Sequence, residues 1–457
     1  MKDKKVLVLL KYFQGELNPF DGSALECAIE SGAKEIIALT MAPKSVQESF
    51  RSLTRLGVKG VFITDTVYAG SDTQATSRVL AKAIEKIKPD VIFCGRQSID
   101  GDTAQVPPML AERIGFDIKV KVVEFNGNAG KTRSGQSFEI ENNTIYTFEK
   151  IRTLRFPSIF SKLSEIEVID NSILGLKSEE CGLSGSPTRV VKSYESSVGR
   201  RDCEYTCAEN LTKLIEIGLH KSRKYEENDV GEKLDVVYFV GKVEKVAKSV
   251  AHRAIELNVN KMTANDVALM IRDIGAKTVL FEDSEDKKVL ASRVAVLLNA
   301  GLCADCISFR VENGKLVMTR PAQGGNVTAD IVCTSEIAFA TVRSVKENGS
   351  DIIFSVGKGA VDYIDKIKEF AKKFGAEICC SRIVADSGRL PYEMQVGLTG
   401  RTVSPKVYVA FGISGAVQHT CAISGAGTVI AVNTDKNARI FDYADYGIIT
   451  EVQNVEL

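Results

Sequence analysis

The chain has 457 residues with 59 basic and 59 acidic side chains, so its formal net charge is zero. This balance gives no overall field for nucleic acid or an anionic membrane, and the absence of Trp with only 7% aromatic residues leaves little surface for stacking bases. No apolar run reaches the roughly 18 residues of a membrane span, and VLVLL near the N-terminus is too short for a signal-peptide core. We expect about two to four domains in the cytoplasm, with no nucleic-acid partner and no membrane insertion.

Short aliphatic strands alternate with helical patterns over the first hundred residues. Strands are predicted at 6–10, 36–40, 60–64 and 90–95, with helices at 24–31, 46–56 and 72–87. Such alternation is typical of a doubly wound α/β fold, a parallel sheet covered on both faces. Ligands of these sheets bind at the carboxyl ends of the strands.

The pattern changes twice before the middle of the chain. From about 120 to 160, alternation with Gly/Asn turns predicts antiparallel strands added to the first sheet, completing a domain over 1–195. Residues 196–233 are polar and charged around the helix-like stretch LTKLIEIGL, which predicts a linker containing a helix and carrying solvated charges.

Two further α/β domains are predicted after the linker. The βα pattern restarts with LDVVYFVG and predicts a domain over 234–347 whose late strands repeat those of the first domain. Another doubly wound pattern covers 348–457. The predicted fold is therefore three doubly wound α/β domains, the first two being related halves.

The eleven cysteines are scattered and indicate reduced thiols. Cys303 and Cys306 form the one CxxC, which allows a zinc or redox site. There is no second CxxC and no nearby His, so the favoured interpretation is two small residues lining a strand or turn.

Two glycine-rich turns, GLTGRT and GISGAVQH, frame the predicted strand KVYVAF in the last domain. Glycine lets the backbone approach a ligand, and free N–H groups at a helix start favour a pyrophosphate, which points to a dinucleotide. Arg382, Gln395, Thr399 and His419 lie on successive loops and would converge on one ring; beside a flavin, the Arg and His would stabilise negative charge. The alternatives are that the turns are only turns and that His419 caps a helix.

The first domain has comparable loops. In GRQSIDGDTAQVPP, Asp100, Asp102 and Thr103 precede a predicted helix and place donors at the crevice. The alternatives are a metal or acid–base role for the paired carboxylates, or ordinary helix capping. YAGSDTQATS likewise follows a predicted strand and precedes a helix. It would contact phosphate or cap its own helix.

Together these motifs resemble the electron-transfer flavoproteins, with both subunits in one chain and the β-like part first. Resemblance to the β subunit over about residues 1–219 rests on NPFD, LTMAP, YAGSDTQATS, GRQSIDGDTAQV and GLSGSPTRVV. Resemblance to the α subunit over about residues 234–457 rests on GLCADC, TRPAQGGN, ATVR, SRIVADSGRLPYEMQVGLTGRTVSPKVYVAFGISGAVQH and ARIFDYADYG. It implies a shortened α-like N-terminal domain followed by a C-terminal FAD-binding domain.

In this family the C-terminal domain of the α subunit holds FAD, and the resemblance implies that the cofactor is surrounded by Ser381, Arg382, Gln395, Thr399, Ser414, Gln418, His419, Asn433 and Asp445. Arg382 and His419 would balance charge on the isoalloxazine, and Thr399 would bond near its N5. Ser414 would contact the pyrophosphate, while Asn433 and Asp445 would lie toward the adenosine.

The β subunit holds AMP in simple carriers of the family and a second FAD in electron-bifurcating members. The resemblance implies that this second nucleotide lies near Asn18, Asp21, Asp102, Thr103 and Gln105.

Three sites and one segment depart from the family pattern. Leu398 replaces a residue that is usually polar, and 433–435 reads NTD in place of NKD. Pro107 replaces a usual Gly, which removes one backbone donor. The partner-recognition segment expected near 161–165, after a predicted strand FPSIF, is essentially missing.

The resemblance implies an FAD-containing carrier with no bond chemistry of its own. It would pass electrons one at a time, through a flavin semiquinone, from a dehydrogenase to a quinone- or ferredoxin-linked acceptor. One alternative is a bifurcating flavoprotein that oxidises NADH with two FAD. The other is a nucleotide-binding regulatory or scaffolding protein without redox activity, motivated by the departures above.

Overall fold

A computed structural model describes residues 1–195, 200–220, 231–325, 327–343, 350–397 and 400–455. The chain divides into two compact units. Unit 1 contains Met1–Lys192, Glu232–Arg320 and Asp330–Val342, and unit 2 contains Ser193–Gly231, Pro321–Ala329 and Arg343–Leu457. Within the described ranges, each helix is too short or too polar to cross a membrane.

Unit 1 begins with a nine-stranded sheet and a small hairpin. The strands in chain order are β1 (Lys5–Leu10), β2 (Tyr12–Phe13), β3 (Glu16–Leu17), β4 (Glu35–Met41), β5 (Lys59–Ile63), β6 (Val91–Gly95), β7 (Asp117–Phe125), β8 (Ala129–Thr132), β9 (Ser137–Glu139), β10 (Thr144–Phe148) and β11 (Glu167–Ile169). β2 and β3 form the hairpin, and the sheet order is β11-β5-β4-β1-β6-β10-β7-β8-β9. The helices are α1 (Pro19–Glu30), α2 (Gln47–Ser52), α3 (Thr73–Ile87), α4 (Val106–Ile114) and α5 (Asn171–Leu174).

The predicted doubly wound fold is confirmed in this sheet. β1 pairs in parallel with both β4 and β6. The winding direction reverses between β1 and β6, because β4 and β5 follow on one side and β6 lies on the other. Such a switch point is where doubly wound sheets bind ligands, at the carboxyl ends of the strands.

The predicted antiparallel extension is right for one part and wrong for another. β8 pairs antiparallel with β7 and β9. β10, however, lies between β6 and β7 and runs parallel to both. All five of its residues are buried, as expected of a central strand in a covered sheet.

The segment predicted as a linker contains regular structure. After β12 (Thr188–Glu195) come β13 (Glu204–Thr206) and α6 (Leu211–His220). α6 buries Leu211, Leu214 and Ile215, spaced for one helical face, in the core of unit 2. The rest of the segment, 196–199 and 221–230, lies outside the described residues, and the domain boundaries stay predictions.

The second sheet of unit 1 is parallel and has five strands. The strands that follow in chain order are β14 (Leu234–Val240), β15 (Ala251–Glu256), β16 (Thr278–Glu282), β17 (Gly301–Cys306), β18 (Ser308–Glu312), β19 (Lys315–Ala322), β20 (Val327–Cys333) and β21 (Ala338–Val342). The five-stranded order is β15-β14-β16-β21-β17, and β18, β19 and β20 join β12 in a four-stranded sheet. The helices are α7 (Glu244–Val250), α8 (Ala264–Asp273) and α9 (Glu285–Leu298), and both cysteines of the CxxC are buried in β17.

Unit 2 is built on a six-stranded parallel sheet. Its remaining strands are β22 (Ile352–Val356), β23 (Glu377–Cys380), β24 (Val407–Phe411), β25 (Thr428–Asn433) and β26 (Tyr446–Ile449), and its helices are α10 (Ile364–Phe374), α11 (Arg382–Asp386) and α12 (Val417–Thr420). The order is β13-β26-β25-β24-β22-β23, with every neighbouring pair parallel. The winding therefore reverses between β22 and β24, which makes this the switch point of unit 2.

Ile215→Ala is expected to lower the free energy of unfolding of unit 2 by about 2–4 kcal/mol, because a fully buried side chain would be replaced by a cavity. Ile217→Ala on the same helix is the matched control; that side chain is 43% exposed, so a change below about 0.5 kcal/mol is expected. Urea titrations followed by circular dichroism measure both values. Equal and small effects would contradict the packing of α6 in this core.

Candidate functional site

The carboxyl edge of the sheet in unit 2 brings together several predicted FAD residues. Ser381 and Arg382 directly follow β23, Ser414 lies three residues beyond β24, and Asn433 ends β25. Parallel strands end at the same edge, so these four residues border one crevice beside the switch point.

Two glycine turns meet at that switch point. The Gly357 N–H donates to the Phe411 carbonyl at 2.7 Å, and the Gly359 N–H donates to the Gly412 carbonyl at 3.1 Å. A Cβ atom on Gly357 would lie 2.2 Å from the Gly412 oxygen, so only glycine fits. The loops after β22 and β24 are therefore locked together, which fixes the floor of the crevice.

The turn after β24 presents Ser414. Gly415 has a φ of +83° and packs against Ile440, whose N–H donates to the Ser414 carbonyl at 3.2 Å. The Asn433 side chain donates to the Ile413 carbonyl at 2.8 Å and accepts from the backbone N–H two residues further on at 3.0 Å. Asn433 thus supports the loop, while the Ser414 side chain is exposed and available to a ligand.

α12 carries Gln418, which is exposed, and His419, which is buried. The His419 Nε2 lies 2.8 Å from the Tyr408 hydroxyl oxygen. The His419 Nδ1 atom is buried and has no hydrogen-bond partner among the described residues. Burial lowers the pKa of His419 to about 4, against a smaller opposing effect of the Val396 backbone. The imidazole is therefore neutral near pH 7 and offers a hydrogen bond rather than a charge.

Arg382 provides a positive charge at this edge. It is the first residue of α11, its side chain is 34% exposed, and its Nε donates to Asp386 at 3.2 Å. Gln395 is also nearby in the fold, since it bridges to Cys380 at the end of β23, but its side chain is buried. Thr399 and Leu398 lie outside the described residues.

Asp445 is not brought to this crevice. It precedes β26 and so lies at the amino edge of the sheet, where it forms an ion pair with Arg201 and accepts from the Val429 N–H at 2.8 Å. Glu451, two residues beyond the end of β26, is an exposed acidic residue on the carboxyl side of that strand.

In unit 1, Asp21 joins the two strands of the switch point. Its carboxylate oxygens accept from the backbone N–H of Lys11, next to β1, and of Gly95, the last residue of β6, each at 2.8 Å. Burial raises the pKa of Asp21 to about 7, opposed by hydrogen bonds from Asn18 and these N–H groups. The Asn18 amide donates to the Gln97 carbonyl at 2.9 Å. Both predicted residues are thus at the crevice but engaged with the protein.

The other predicted residues of this half are positioned in a similar way. Asp102 is buried and accepts from the Gln97 side chain at 2.8 Å. The Gln105 amide accepts from Thr73 at 2.9 Å and donates to the Leu302 carbonyl at 3.2 Å. Thr103 is half-buried and is the more accessible of the predicted side chains here.

Arg320, in the motif TRPAQGGN, was not predicted as a site residue although it reaches the same loop. Its Nη1 donates to the Gly101 carbonyl and its Nε to the Ala304 carbonyl, both at 2.7 Å. Nη2 is buried without a hydrogen-bond partner among the residues that the structure describes. Arg320 thus adds a buried positive charge beneath the loop that follows β6.

An apolar surface lies on residues 156–163, where sequence reasoning expected a strand and then a missing recognition segment. The structure shows no strand there. Its exposed apolar side chains are Phe156 at 95%, Ile159 at 85%, Phe160 at 86% and Leu163 at 51%. Arg55 holds the backbone by donating to the carbonyls of Ser158 at 3.0 Å and Ser161 at 3.3 Å. The segment is therefore ordered while its apolar side chains face solvent.

Unit 1 also has a groove on its surface. It has a volume of about 530 Å³ and is lined by β7, the β8–β9 turn, the residues that lead into α8 and the first half of α9. None of the predicted site residues lines it.

The stability of unit 2 is expected to fall as the pH drops from about 6.5 through 4. The pKa of His419 is about 4 in the fold and about 6.5 for an unperturbed His, so the unfolded state binds more protons in this range. The full effect is about 3 kcal/mol, present above pH 6.5 and lost below 4.

His419→Gln is expected to flatten this part of the stability curve, measured by urea unfolding at several pH values. His220→Gln, an exposed His in the same unit, is the matched control and should leave the slope intact. An unchanged slope in the first variant would contradict the burial of a neutral His419.

Comparison with known proteins agrees with this architecture. The family model described as electron transfer flavoprotein domain matches residues 6–154 and 236–361, which together exceed half of the chain. The model described as electron transfer flavoprotein FAD-binding domain matches residues 348–424, which include both glycine turns at the switch point of unit 2.

The chain is similar to individual relatives of both subunit types, alpha and beta. The electron transfer flavoprotein subunit alpha of Thermoanaerobacterium thermosaccharolyticum is 33% identical over 238 residues, covering 42% of this chain and 72% of the relative. The subunit beta of the same organism is 34% identical over 202 residues, covering 40% of this chain and 77% of the relative. The subunit LctC of lactate dehydrogenase (NAD(+),ferredoxin) from Acetobacterium woodii is 32% identical over 237 residues, covering 42% of this chain and 57% of the relative. The chain belongs to the electron transfer flavoprotein family.

Proposed function

We propose that this chain is an FAD-containing electron carrier in which a β-like part precedes an α-like part. Its similarity to a subunit alpha and to a subunit beta, each over about two fifths of the chain, supports the fusion. The match of one family model to two separate stretches supports it as well. The proposed domains are 1–195, the α-like 234–347 and the FAD-binding 348–457, with 196–233 between them.

The observation that carries the FAD assignment is the convergence at the carboxyl edge of unit 2. The exposed Ser414 and Gln418 lie on the loop and helix after β24, where hydroxyl, amide and backbone groups fit a pyrophosphate. Arg382 supplies positive charge for the ring, and His419 supplies a neutral donor. When bound, FAD supplies one-electron redox chemistry; the residues of the chain bind it, orient it and set its potential.

The adenosine end is proposed to lie beyond β25. Asn433 holds the loop there, and the exposed Glu451 replaces Asp445 as the acidic residue at this edge. Thr399 keeps its proposed place near ring N5.

A second nucleotide, AMP or FAD, is proposed for the crevice of unit 1. Asn18, Asp21, Asp102 and Gln105 would shape that crevice through the contacts that fix its loops. Thr103 would contact the nucleotide directly.

The second candidate function is a bifurcating module that oxidises NADH with two FAD. It is favoured by the similarity to LctC, a subunit of a lactate dehydrogenase named for both NAD(+) and ferredoxin. Extraction and quantification of bound nucleotides separates the candidates: one FAD plus AMP supports the simple carrier, whereas two FAD support bifurcation. A colourless chain that cannot be reconstituted with FAD would contradict both and favour a regulatory or scaffolding role.

Arg382→Ala is expected to lower the one-electron potential of the bound flavin. A charge-assisted contact is worth about 1.5–3 kcal/mol, and 1.4 kcal/mol corresponds to about 60 mV for one electron. A stepwise reductive titration followed by absorbance measures the shift. Arg389→Ala is the control. Arg389 is exposed and lies seven residues after Arg382, so its removal should leave the potential unchanged. Equal curves for both variants would remove the role given to Arg382.

The exposed segment 156–163 is proposed as the docking surface for a redox partner protein, a dehydrogenase. An ordered backbone with four outward apolar side chains is suited to burial in a partner interface. This assignment replaces the expectation that the chain lacks a recognition segment.

The double variant Phe156→Ser/Phe160→Ser is expected to slow reduction of the bound flavin by the partner dehydrogenase at least tenfold, since apolar anchors carry most of the binding energy of an interface. The measurement is anaerobic flavin bleaching in an extract of the source cells. Reduction by dithionite should be unaffected. Leu183→Ser, at a side chain 57% exposed elsewhere in unit 1, is the control. Parallel losses in both variants would argue against a specific docking surface.

A further inference from the structure

Two segments border the switch point of unit 1, residues 11–18 after β1 and residues 96–105 after β6. Their basic residues are Lys11 and Arg96. The Arg96 side chain is only 5% exposed, and its Nε lies 3.4 Å from Glu149, so it belongs to the interior. The Lys11 side chain is 48% exposed. Lys11 is therefore the accessible positive charge on these two segments.

Lys11 is fixed at its backbone and reaches across the switch point with its side chain. Its N–H donates to the Asp21 carboxylate at 2.8 Å, and its carbonyl accepts from the Asn18 N–H at 2.9 Å. The ammonium donates to both carboxylate oxygens of Asp100, at 2.7 and 2.9 Å. Because Asp100 belongs to the segment after β6, this ion pair joins the two sides of the crevice.

The ion pair between Lys11 and Asp100 is charged but easily broken. Burial opposes ionisation of Asp100, but the Lys11 ammonium and hydrogen bonds to the carboxylate hold the pKa of Asp100 below its usual value. The two side chains are 48% and 24% exposed, and ion pairs in contact with solvent contribute little to stability. An anion that enters the crevice can therefore replace the Asp100 carboxylate at small cost.

The helices that begin beside this switch point offer an anion fewer backbone donors than usual. α4 has Pro107 and Pro108 as its second and third residues, so two of the four N–H groups at its start are missing. α1 begins with Pro19 and carries the Asp21 carboxyl group in its first turn. A phosphate bound here therefore needs positive charge from a side chain, and the accessible one is Lys11.

We propose that Lys11 binds the phosphate of the nucleotide in unit 1, and that Asp100 holds the ammonium in place until the phosphate replaces it. The inference rests on the proposed function, because it needs a nucleotide in this crevice. It extends that function by naming the residue that distinguishes a phosphorylated ligand from its nucleoside. Because Asp100 already orders the Lys11 side chain, little rotamer freedom is lost when the phosphate binds.

Calorimetric titration of the full chain, freed of copurified nucleotide, tests the proposal with three probes. AMP carries a phosphate monoester, ADP-ribose carries the pyrophosphate diester that is also present in FAD, and adenosine carries no phosphate. Lys11→Gln is expected to weaken binding of the phosphate-bearing probe that fits the crevice by about tenfold, the size of one charge-assisted hydrogen bond, and to leave adenosine binding unchanged. Lys34→Gln is the matched control, because it removes an exposed charge at the amino end of β4.

Asp100→Asn is expected to act in the opposite direction. It should strengthen binding of the same probe about threefold, because the competing carboxylate is gone. The decisive quantity is the ratio of the affinities for the phosphate-bearing probe and for adenosine, since a general disturbance of the crevice would weaken both.

The outcomes separate this proposal from the proposed function. An unchanged ratio in Lys11→Gln, or weaker binding of the phosphate-bearing probe in Asp100→Asn, overturns the role of this ion pair while a nucleotide site in unit 1 stands. A wild-type chain that binds none of the three probes overturns the nucleotide of unit 1, and the role of Lys11 with it.

Discussion

At each switch point, short hydrogen bonds join the segments that follow two neighbouring strands. The loops that carry the candidate sites begin at these joined segments. In unit 1 the Asp21 carboxylate bridges the N–H groups that follow β1 and end β6. A Cβ atom on Gly95 would lie 2.3 Å from that carboxylate. In unit 2 the loops after β22 and β24 touch directly through Gly357 and Gly412. Glycine at these positions therefore allows the loops on the two sides of the switch point to pack closely and form one crevice.

This constraint explains why several residues predicted to bind a nucleotide also hold loops of the protein in place. Asn18, Asp21 and Gln105 have polar side chains near a crevice, and each makes at least one hydrogen bond within the protein. Buried loops need such partners, because an unmatched polar group is costly in the interior. The side chains left for a ligand are the accessible ones, such as Ser414 and Thr103.

Much of the fold was predictable because aliphatic strands separated by helices have few other arrangements. β10 was misplaced because the chain returns from the sheet edge to its middle, and local alternation carries no information about such a crossing. α6 was assigned to a linker because its charged neighbours dominate the composition, although Leu211, Leu214 and Ile215 already marked one apolar face.

The sequence predicted which loops carry the candidate site residues better than it predicted what each residue does there. Arg382 and His419, both named from the motif resemblance, lie in the segments that follow β23 and β24, but only burial shows that the imidazole is neutral. Asp445 was assigned to the adenosine end from its motif alone, whereas the direction of β26 places it at the opposite edge. Strand direction is a property of the assembled sheet, and a motif does not contain it.

The position of β13 and α6 has a consequence for dissecting the chain. Both elements come from sequence that precedes the second half of unit 1, yet they complete the sheet and core of unit 2. A fragment cut at residue 348 would start with an unpaired strand edge along β26 and an uncovered apolar groove over β24. The cofactor module can be excised cleanly only as two pieces that reassociate, or by a rearranged chain in which residues 200–220 are spliced onto it.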